Sequence, residues 1–464
     1  MKTILGFDIG TSGVRVCIVE RLASNELNRH NADNDNNAEQ IVAVKHTPVS
    51  PPQRNAEGLL LASPNAWINA LDSTLKELSQ VYDLQKITHI VGDATSSTVM
   101  LTDINGSTTT EALMYNDNSA ITEANLISQT LESLNISFTA ASGSSSTLAK
   151  SLFLKNRFQS TNTHNNLVCH QLDFVNQYLC STQSALGITD ENNALKLGFN
   201  SVDFCWPAWV KTLTKSHHLL LPKVVKPGSI IGKIDSDLVK KFGFSAQTKI
   251  CAGTTDSIAG FLASGAYSIG DTVCSLGSTI AIKTIGNNPV FDASQGLYSH
   301  RLNNLWLIGG ASNAGGAIFL KYYSKQDLHA LCQSIDLTTL PGYLKNKPSY
   351  YPLNEPGERF PIADNNFKPK IPVEPNNSLD FKEPATLKEH QKFIIGLSLG
   401  LTQIEALALE KLQQSGNVKT QHIYSVGGGN LNPVWQWFRQ QLLNTKISVI
   451  TKTEPALGVT RLIN

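Results

Sequence analysis

The sequence predicts an α/β protein of two domains, and three observations carry that expectation. Its 464 residues exceed what one ordinary core organises, and domains of about 200 residues each are the natural division. Two strand–turn–strand segments, one opening at Ile4 and one at Thr272, each turn on glycine with Ser and Thr beside it. Between them, strand patterns of period two alternate with helical patterns of period 3.6.

In chain order, Ile4, Phe7 and Ile9 lead into Gly10-Thr11-Ser12-Gly13, after which Val14, Val16 and Ile18 alternate with Arg15, Cys17 and Val19. Ala23 to Gln40 is rich in Asn and Asp without apolar periodicity, which predicts a mobile surface loop between two strands. A strand follows over Ile41–Thr47, then a helix from Pro64 to Val81 with Trp67, Leu71, Leu75 and Leu78 on one face. Strand Ile87–Asp93 reaches a polar turn, Ala94–Ser97, before strand Val99–Asp103. The region Ser119–Leu221 reads as mostly helical, with helices at Thr122–Ser133, Leu148–Phe158 and Leu167–Leu179. Then come a short strand Lys249–Cys251, a glycine turn, a helix Ile258–Ser264 and the second hairpin, turning at Gly277-Ser278-Thr279. Its echo of the first suggests an internal duplication with the boundary near Ser264, hence domains 1–263 and 264–464. Pro341–Pro384 reads as surface loops, and a long helix, Phe393–Gln414, leads to Gly427-Gly428-Gly429 and a helix Trp435–Leu443.

Composition removes several classes of function. With 38 basic against 37 acidic residues, no electrostatic footprint for nucleic acid or a membrane surface exists. The longest apolar runs, such as Ile394–Leu401, fall short of the roughly 20 residues of a membrane span. The N-terminus is apolar only over Ile4–Phe7 and does not read as a signal peptide. Seven scattered cysteines without zinc spacing predict buried thiols in a reducing cytoplasm.

The chemistry lies in the turns. A hairpin whose turn exposes N–H groups forms an anion-binding concavity; Gly10 and Gly13 allow the positive φ such a turn can require, and Thr11 and Ser12 add hydroxyl donors. Asp8, at the strand end, can hold Mg²⁺ that a phosphate also ligates, and Arg15 suits the charge on a transferring phosphoryl group. The bland alternative is a plain hairpin with a surface acid. Asp256, in Gly253-Thr254-Thr255-Asp256-Ser257 before a helix, is either an N-cap worth about 1 kcal/mol or an ionised base at a helix N-terminus, and a cap can also be a base. Gly427-Gly428-Gly429 permits close approach of a flat or anionic ligand or is a flexible loop, and Gly309-Gly310 and Gly315-Gly316 are similar. A Walker A loop, a GxGxxG after a strand, HExxH and GxSxG are all absent.

Together these motifs resemble the FGGY carbohydrate kinases of the actin/hexokinase/Hsp70-like superfamily, in order and over essentially the whole chain. The resemblance implies two ribonuclease-H-like domains with a cleft between them, ATP and Mg²⁺ as cofactors, and a small sugar as substrate. Asp8-Ile9-Gly10-Thr11-Ser12 resembles the first phosphate motif, Ser275-Leu276-Gly277-Ser278-Thr279 the second, and Asp256 stands where the family has its catalytic aspartate. Gly315, Gly428, Gly429 and Asn432 would then contact the nucleotide, and Glu454-Pro455-Ala456-Leu457-Gly458 resembles the adenosine-binding end. Asp8 and Asp256 would face the metal. The wording around Asp93-Ala94-Thr95-Ser96-Ser97-Thr98-Val99, Tyr115-Asn116-Asp117 and Asp256 is most similar to D-ribulose kinases of cyanobacteria and plants. Asp8, Ser96, Asp117 and Asp256 would therefore contact a ketopentose. The Trp-x-Asp-x-Arg sugar motif of glycerol kinases is replaced by Tyr115-Asn116-Asp117-Asn118-Ser119, which argues against glycerol and leaves Asp117 either a hydroxyl acceptor or a helix cap. A D-xylulose or other small-polyol kinase is the alternative within the family; a non-catalytic sugar or nucleotide sensor and an actin-like or chaperone-like ATPase are the alternatives outside it. A monomer or homodimer is expected. The chain stops six residues after Gly458, so the helix Leu457–Ile463 is expected to end at the surface.

Overall fold

A computed structural model describes residues 2–21, 39–137, 139–158, 164–180, 182–346, 348–376, 378–451 and 453–463. The chain forms two compact units, residues 1–263 with 453–464, and residues 264–452.

In the first unit the apolar segment Lys2–Ile9 (β1), buried on both faces, pairs antiparallel with Gly13–Arg21 (β2). The edge of the sheet is Glu39–Pro48 (β3), whose half-exposed pattern suits one solvated side. Across β1 lies His89–Ala94 (β4), then Ile230–Lys233 (β5) and Lys249–Thr255 (β6), giving the order β5-β6-β4-β1-β2-β3. Strands β1, β4 and β6 are parallel, so their carboxyl ends collect on one edge. The helix Pro64–Ser79 buries Trp67, Leu71, Leu75 and Leu78, the face its spacing predicts.

Three expectations for this unit are corrected. The region read as mostly helical also gives two strands, Leu219–Leu220 and Asn166–His170, to a second, five-stranded sheet that continues through Val99–Thr102, Ala112–Leu113 and Leu61–Ala62. The segment Leu167–Leu179 therefore splits into the buried strand Asn166–His170 and a helix Gln171–Leu179, with Asp173 Oδ2 accepting from the His170 N–H at 3.0 Å where it starts. Gly253 lies inside β6, not in a turn: a Cβ there would stand 1.6 Å from Gly92 O, where β6 bulges against β4. Of the Asn-rich stretch 23–40, only 39–40 fall among the described residues, and they open β3.

The second unit repeats the plan. Asp271–Leu276 (β7) and Ile280–Gly286 (β8) form its hairpin; Tyr298–Leu302 (β9) and Leu305–Ala311 (β10) extend the antiparallel side, and His422–Val426 (β11) and Lys446–Val449 (β12) run parallel to β7. The order is β9-β10-β8-β7-β11-β12. In both units the first hairpin strand also pairs with a later parallel strand, which is what a duplicated half requires. The helix Pro384–Gly416 is long and apolar enough to cross a membrane, but 72% of its most apolar stretch is buried within the fold, and Phe393, Ile394 and Leu397 belong to the core of this unit. The segment Pro341–Pro384 is not merely surface: Tyr351, Leu353, Glu358 and Phe360 are buried in it.

The carboxyl-terminal segment departs most from expectation. Residues 453–464 belong to the first unit, not to a 264–464 domain, and the helix Pro455–Thr460 is buried where a surface end was expected. Glycine makes this possible: a Cβ on Gly6 would stand 1.9 Å from Ala456 O, and one on Gly458 2.0 Å from Ala259 O. Arg461 ties the segment down, donating to Glu39 Oε2 at 2.8 Å and to Leu262 O at 2.5 Å. All seven cysteines are free thiols, and Cys205 is exposed, against the expectation that all are buried.

Candidate active site

The register of the first sheet brings the predicted acids together. Asp8 lies opposite Arg15 on β2 and opposite Asp93 on β4, and Asp93 lies opposite Thr254 on β6. Asp256 follows at the first position of the helix Asp256–Ala263, half-buried, its Oδ1 accepting from the Ser257 N–H at 2.6 Å. Arg15 Nη1 donates to Asp8 Oδ2 at 3.4 Å, with the Arg15 side chain 42% exposed and so free to turn toward a ligand. Neither Gly10 nor Gly13 has a positive φ; Gly13 is small because His46 and Thr47 O would meet a Cβ at 2.4 and 2.6 Å. Thr11 and Ser12 stand at the turn, half-buried and exposed.

Asp93 is the residue that sequence reasoning missed. It is fully buried, and neither carboxylate oxygen has a hydrogen-bond donor. Burial above all, then the charges of Asp8 and Asp256, push its carboxyl well above the usual carboxylate range. Burial also raises Asp8, the neighbouring Asp93 and Arg15 offset part of that rise, and Asp256 adds to it. The signal was available: Asp93 closes an apolar strand just as Asp8 does. An orphaned buried carboxylate beside two others fits a hard divalent cation, which seeks oxygen ligands. Among the described residues no three His, Cys, Asp or Glu side chains converge as a complete cage. Mg²⁺ does not require one, since one or two carboxylates and substrate phosphates usually hold it.

Further polar groups line the same edge. Gln171 Oε1 accepts from Thr95 Oγ1 at 2.7 Å and from the Thr95 N–H at 3.2 Å, and Asn192 Nδ2 donates to Thr254 Oγ1 at 3.0 Å. Burial lowers the affinity of Lys196 for its proton, while the Asp256 charge favours it. Ser96 sits half-buried in the turn after β4. Asp117 is fully buried, with Oδ2 accepting from Leu60 N and Oδ1 from Ser119 N, both at 2.8 Å, and Arg54 at 3.6 Å. Its oxygens are thus engaged within the fold, before a helix (Ile121–Ser133) that it does not itself cap.

In the second unit three glycine segments meet. Gly277 N donates to Thr279 O at 3.1 Å across the turn, leaving the Ser278 and Thr279 side chains exposed. Gly316 N donates to Gly277 O at 2.8 Å, and a Cβ on Gly315 would stand 2.5 Å from Ser278 O. On the other side Gly427, at φ +96°, and Gly429 pack on Leu276; Gly428 is open. Beneath them the buried Arg439–Glu405 pair, bonded at 2.8 Å, holds Ser425, which donates to Asn430. Asn432 caps the helix Pro433–Leu442 through Oδ1, while its buried Nδ2 has no partner. Glu358 fixes the Ser312–Gly316 loop, accepting from Ser312 Oγ at 2.5 Å, Tyr351 Oη at 2.9 Å and Asn313 N at 2.7 Å.

Acids gather at parallel strand ends in the first unit, and a glycine-walled hydroxyl turn stands in the second, each unit taken by itself. The chain belongs to the FGGY family of carbohydrate kinases, whose N-terminal domain matches residues 3–263. It is 21% identical over 472 residues to a xylulose kinase of Staphylococcus epidermidis, spanning 98% of this chain and 86% of that one. Among solved structures, gluconate kinase from Lactobacillus acidophilus matches with a TM-score of 0.74 at 19% identity, over 99% of this chain and 88% of that one. Plasmodium falciparum glycerol kinase with ADP gives 0.74 at 16% identity, over 100% and 89%. The fold is the two-domain actin/hexokinase-like one, and the protein is an ATP-dependent carbohydrate kinase.

Proposed function

We propose that the protein phosphorylates a ketopentose, D-ribulose to D-ribulose 5-phosphate, with Asp256 as general base. The observation that carries the mechanism is the gathering of Asp8, Asp93 and Asp256 where β1, β4 and β6 end. Asp256 accepts the proton of the terminal sugar hydroxyl as that oxygen bonds the γ-phosphorus of ATP. The bond from that phosphorus to the β–γ bridging oxygen breaks, and ADP leaves with its electron pair. Arg15 turns to the transferring phosphoryl group, whose charge grows outward onto its oxygens. Asp8 and Asp256, with Asp93 behind them, would hold Mg²⁺, which when bound neutralises phosphate charge. Thr11, Ser12, Ser278 and Thr279 supply hydroxyl donors to the phosphates, Gly10, Gly277, Gly315, Gly428 and Gly429 let backbone approach them, and Asn432 Nδ2 offers the nucleotide a donor. Ser96 is assigned to the sugar.

The D-ribulose reading is supported by the residue pattern around Asp93 to Val99. D-xylulose is the second reading, favoured by the similarity to xylulose kinases. Coupled ADP release measured over D-ribulose, L-ribulose, D-xylulose and glycerol should show the highest kcat/KM for D-ribulose. Asp256→Asn should lower kcat by about 10²–10⁴-fold with the fold intact. A well-folded variant with near-parent turnover removes Asp256 as base, and ATP turnover indifferent to sugar removes the kinase reading.

A further inference from the structure

Lys150, on the helix Thr147–Phe158, is fully buried, yet its Nζ donates to two carbonyls from two separate loops. One is Ser97 O, in the turn between β4 and Val99–Thr102; the other is Met114 O, at 2.9 Å, where the Tyr115–Asp117 segment begins. Burying an ammonium is costly, and a methionine would fill the volume without that penalty. Burial above all, and then the Lys196 charge, push the Lys150 amine down to about 7; Asp117 opposes them only through space, because Leu60 N, Ser119 N and Arg54 occupy its oxygens. The amine can donate to both carbonyls with or without its charge, and it is kept for what it holds.

What it holds is a strained turn. Ser97 adopts φ +69°, a left-handed conformation unfavourable for a residue bearing Cβ, and Ser96 immediately precedes it. Thr147, on the first turn of the same helix, donates from Oγ1 to Ser97 Oγ at 3.2 Å. The two loops are also stitched directly, since Tyr115 N donates to Thr98 Oγ1 at 3.1 Å. Strain that persists only because neighbours over-determine it is a mark of a functional turn.

We infer that Lys150 is a positioning residue for the sugar: by holding Ser97 O and Met114 O together it fixes the hydroxyl of Ser96 against the substrate. This rests on the ketopentose-kinase reading above. Lys150→Met should raise the KM for the ketose by about tenfold or more, leave the KM for ATP within about twofold, and speed amide hydrogen exchange across residues 95–98. Adding Ser97→Gly to Lys150→Met should recover much of the ketose KM, because glycine takes φ +69° without Cβ strain. Should Lys150→Met fail to fold, Thr147→Val, which cuts only the Ser97 Oγ tie, should show a smaller change of the same kind. Unchanged exchange at 95–98 with an unchanged ketose KM overturns the inference, as does an equal rise in both KM values. A parent protein that turns over no ketose refutes the substrate reading instead, and the two failures are told apart by assaying it first.

Discussion

At position 93 the chain closes a buried strand with an acid that finds no donor, and stability and chemistry pull against each other there. A carboxyl whose folded affinity for protons exceeds its unfolded one contributes stability below the unfolded pKa and loses it as pH rises through the folded value. The raised Asp93 and Asp8 should therefore make the cation-free protein less stable as pH climbs from acid through neutral. Asp93→Asn keeps the shape and removes the charge. Without divalent metal it should be more stable at pH 8 by about 1–3 kcal/mol, with a flatter rise toward acid, and slower in phosphoryl transfer. Melts from pH 5 to pH 9 check this; a destabilised variant at pH 8 would mean that Asp93 is a structural hydrogen-bonding group. Asp8 and Arg15 were legible because they flank a glycine turn, and Asp256 because it stands where a strand passes into a helix. Asp93 showed its place at the end of an apolar strand but not its lack of a donor, and Lys150 showed nothing, because no linear pattern reveals that a lysine is walled in.

Elements were legible in proportion to their length and periodicity. The Pro64–Ser79 helix follows its apolar spacing closely, and the two hairpins lie where alternation puts them. The second sheet of the first unit escaped notice for a physical reason: three of its strands are two residues long and leave no period to read, and Asn166–His170 is buried on both faces, so it does not alternate. The segment before the long helix looked like surface because its buried residues are spaced irregularly, yet it supplies Glu358, the post for the Ser312–Gly316 loop. At this scale Gly315→Ala is the informative change. Its Cβ would meet Ser278 O and Thr279 Cα at 2.5 Å, so the phosphate turn must move. The KM for ATP should rise by about tenfold or more while the KM for sugar stays close to the parent value; equal KM values for ATP in the two proteins would disconnect this loop from the nucleotide.

For the molecule as a whole, the echoing hairpins suggest two halves, but nothing in them points to the return of residues 453–464 to the first unit. That return depends on backbone contacts at Gly6 and Gly458, which are long-range and carry no local signature. Residues 1–263 expressed alone should lack a cooperative melt, and joining 453–464 to them through a flexible Gly/Ser linker should restore it. Calorimetry of the two proteins decides the matter; a sharp, unshifted transition in the shorter one would show that the segment adds nothing.

The same helix also sets a calendar for biosynthesis. Domains generally mature in the order in which they leave the ribosome, but here the first unit waits for residues translated after the entire second unit. Until Pro455–Thr460 emerges, the nascent first unit offers an unfilled seam along β1 and the Asp256–Ala263 helix. The chaperone-dependent interval should therefore extend until these late residues are made, and a ribosome stalled inside the second unit should carry a first half still waiting for its closing piece.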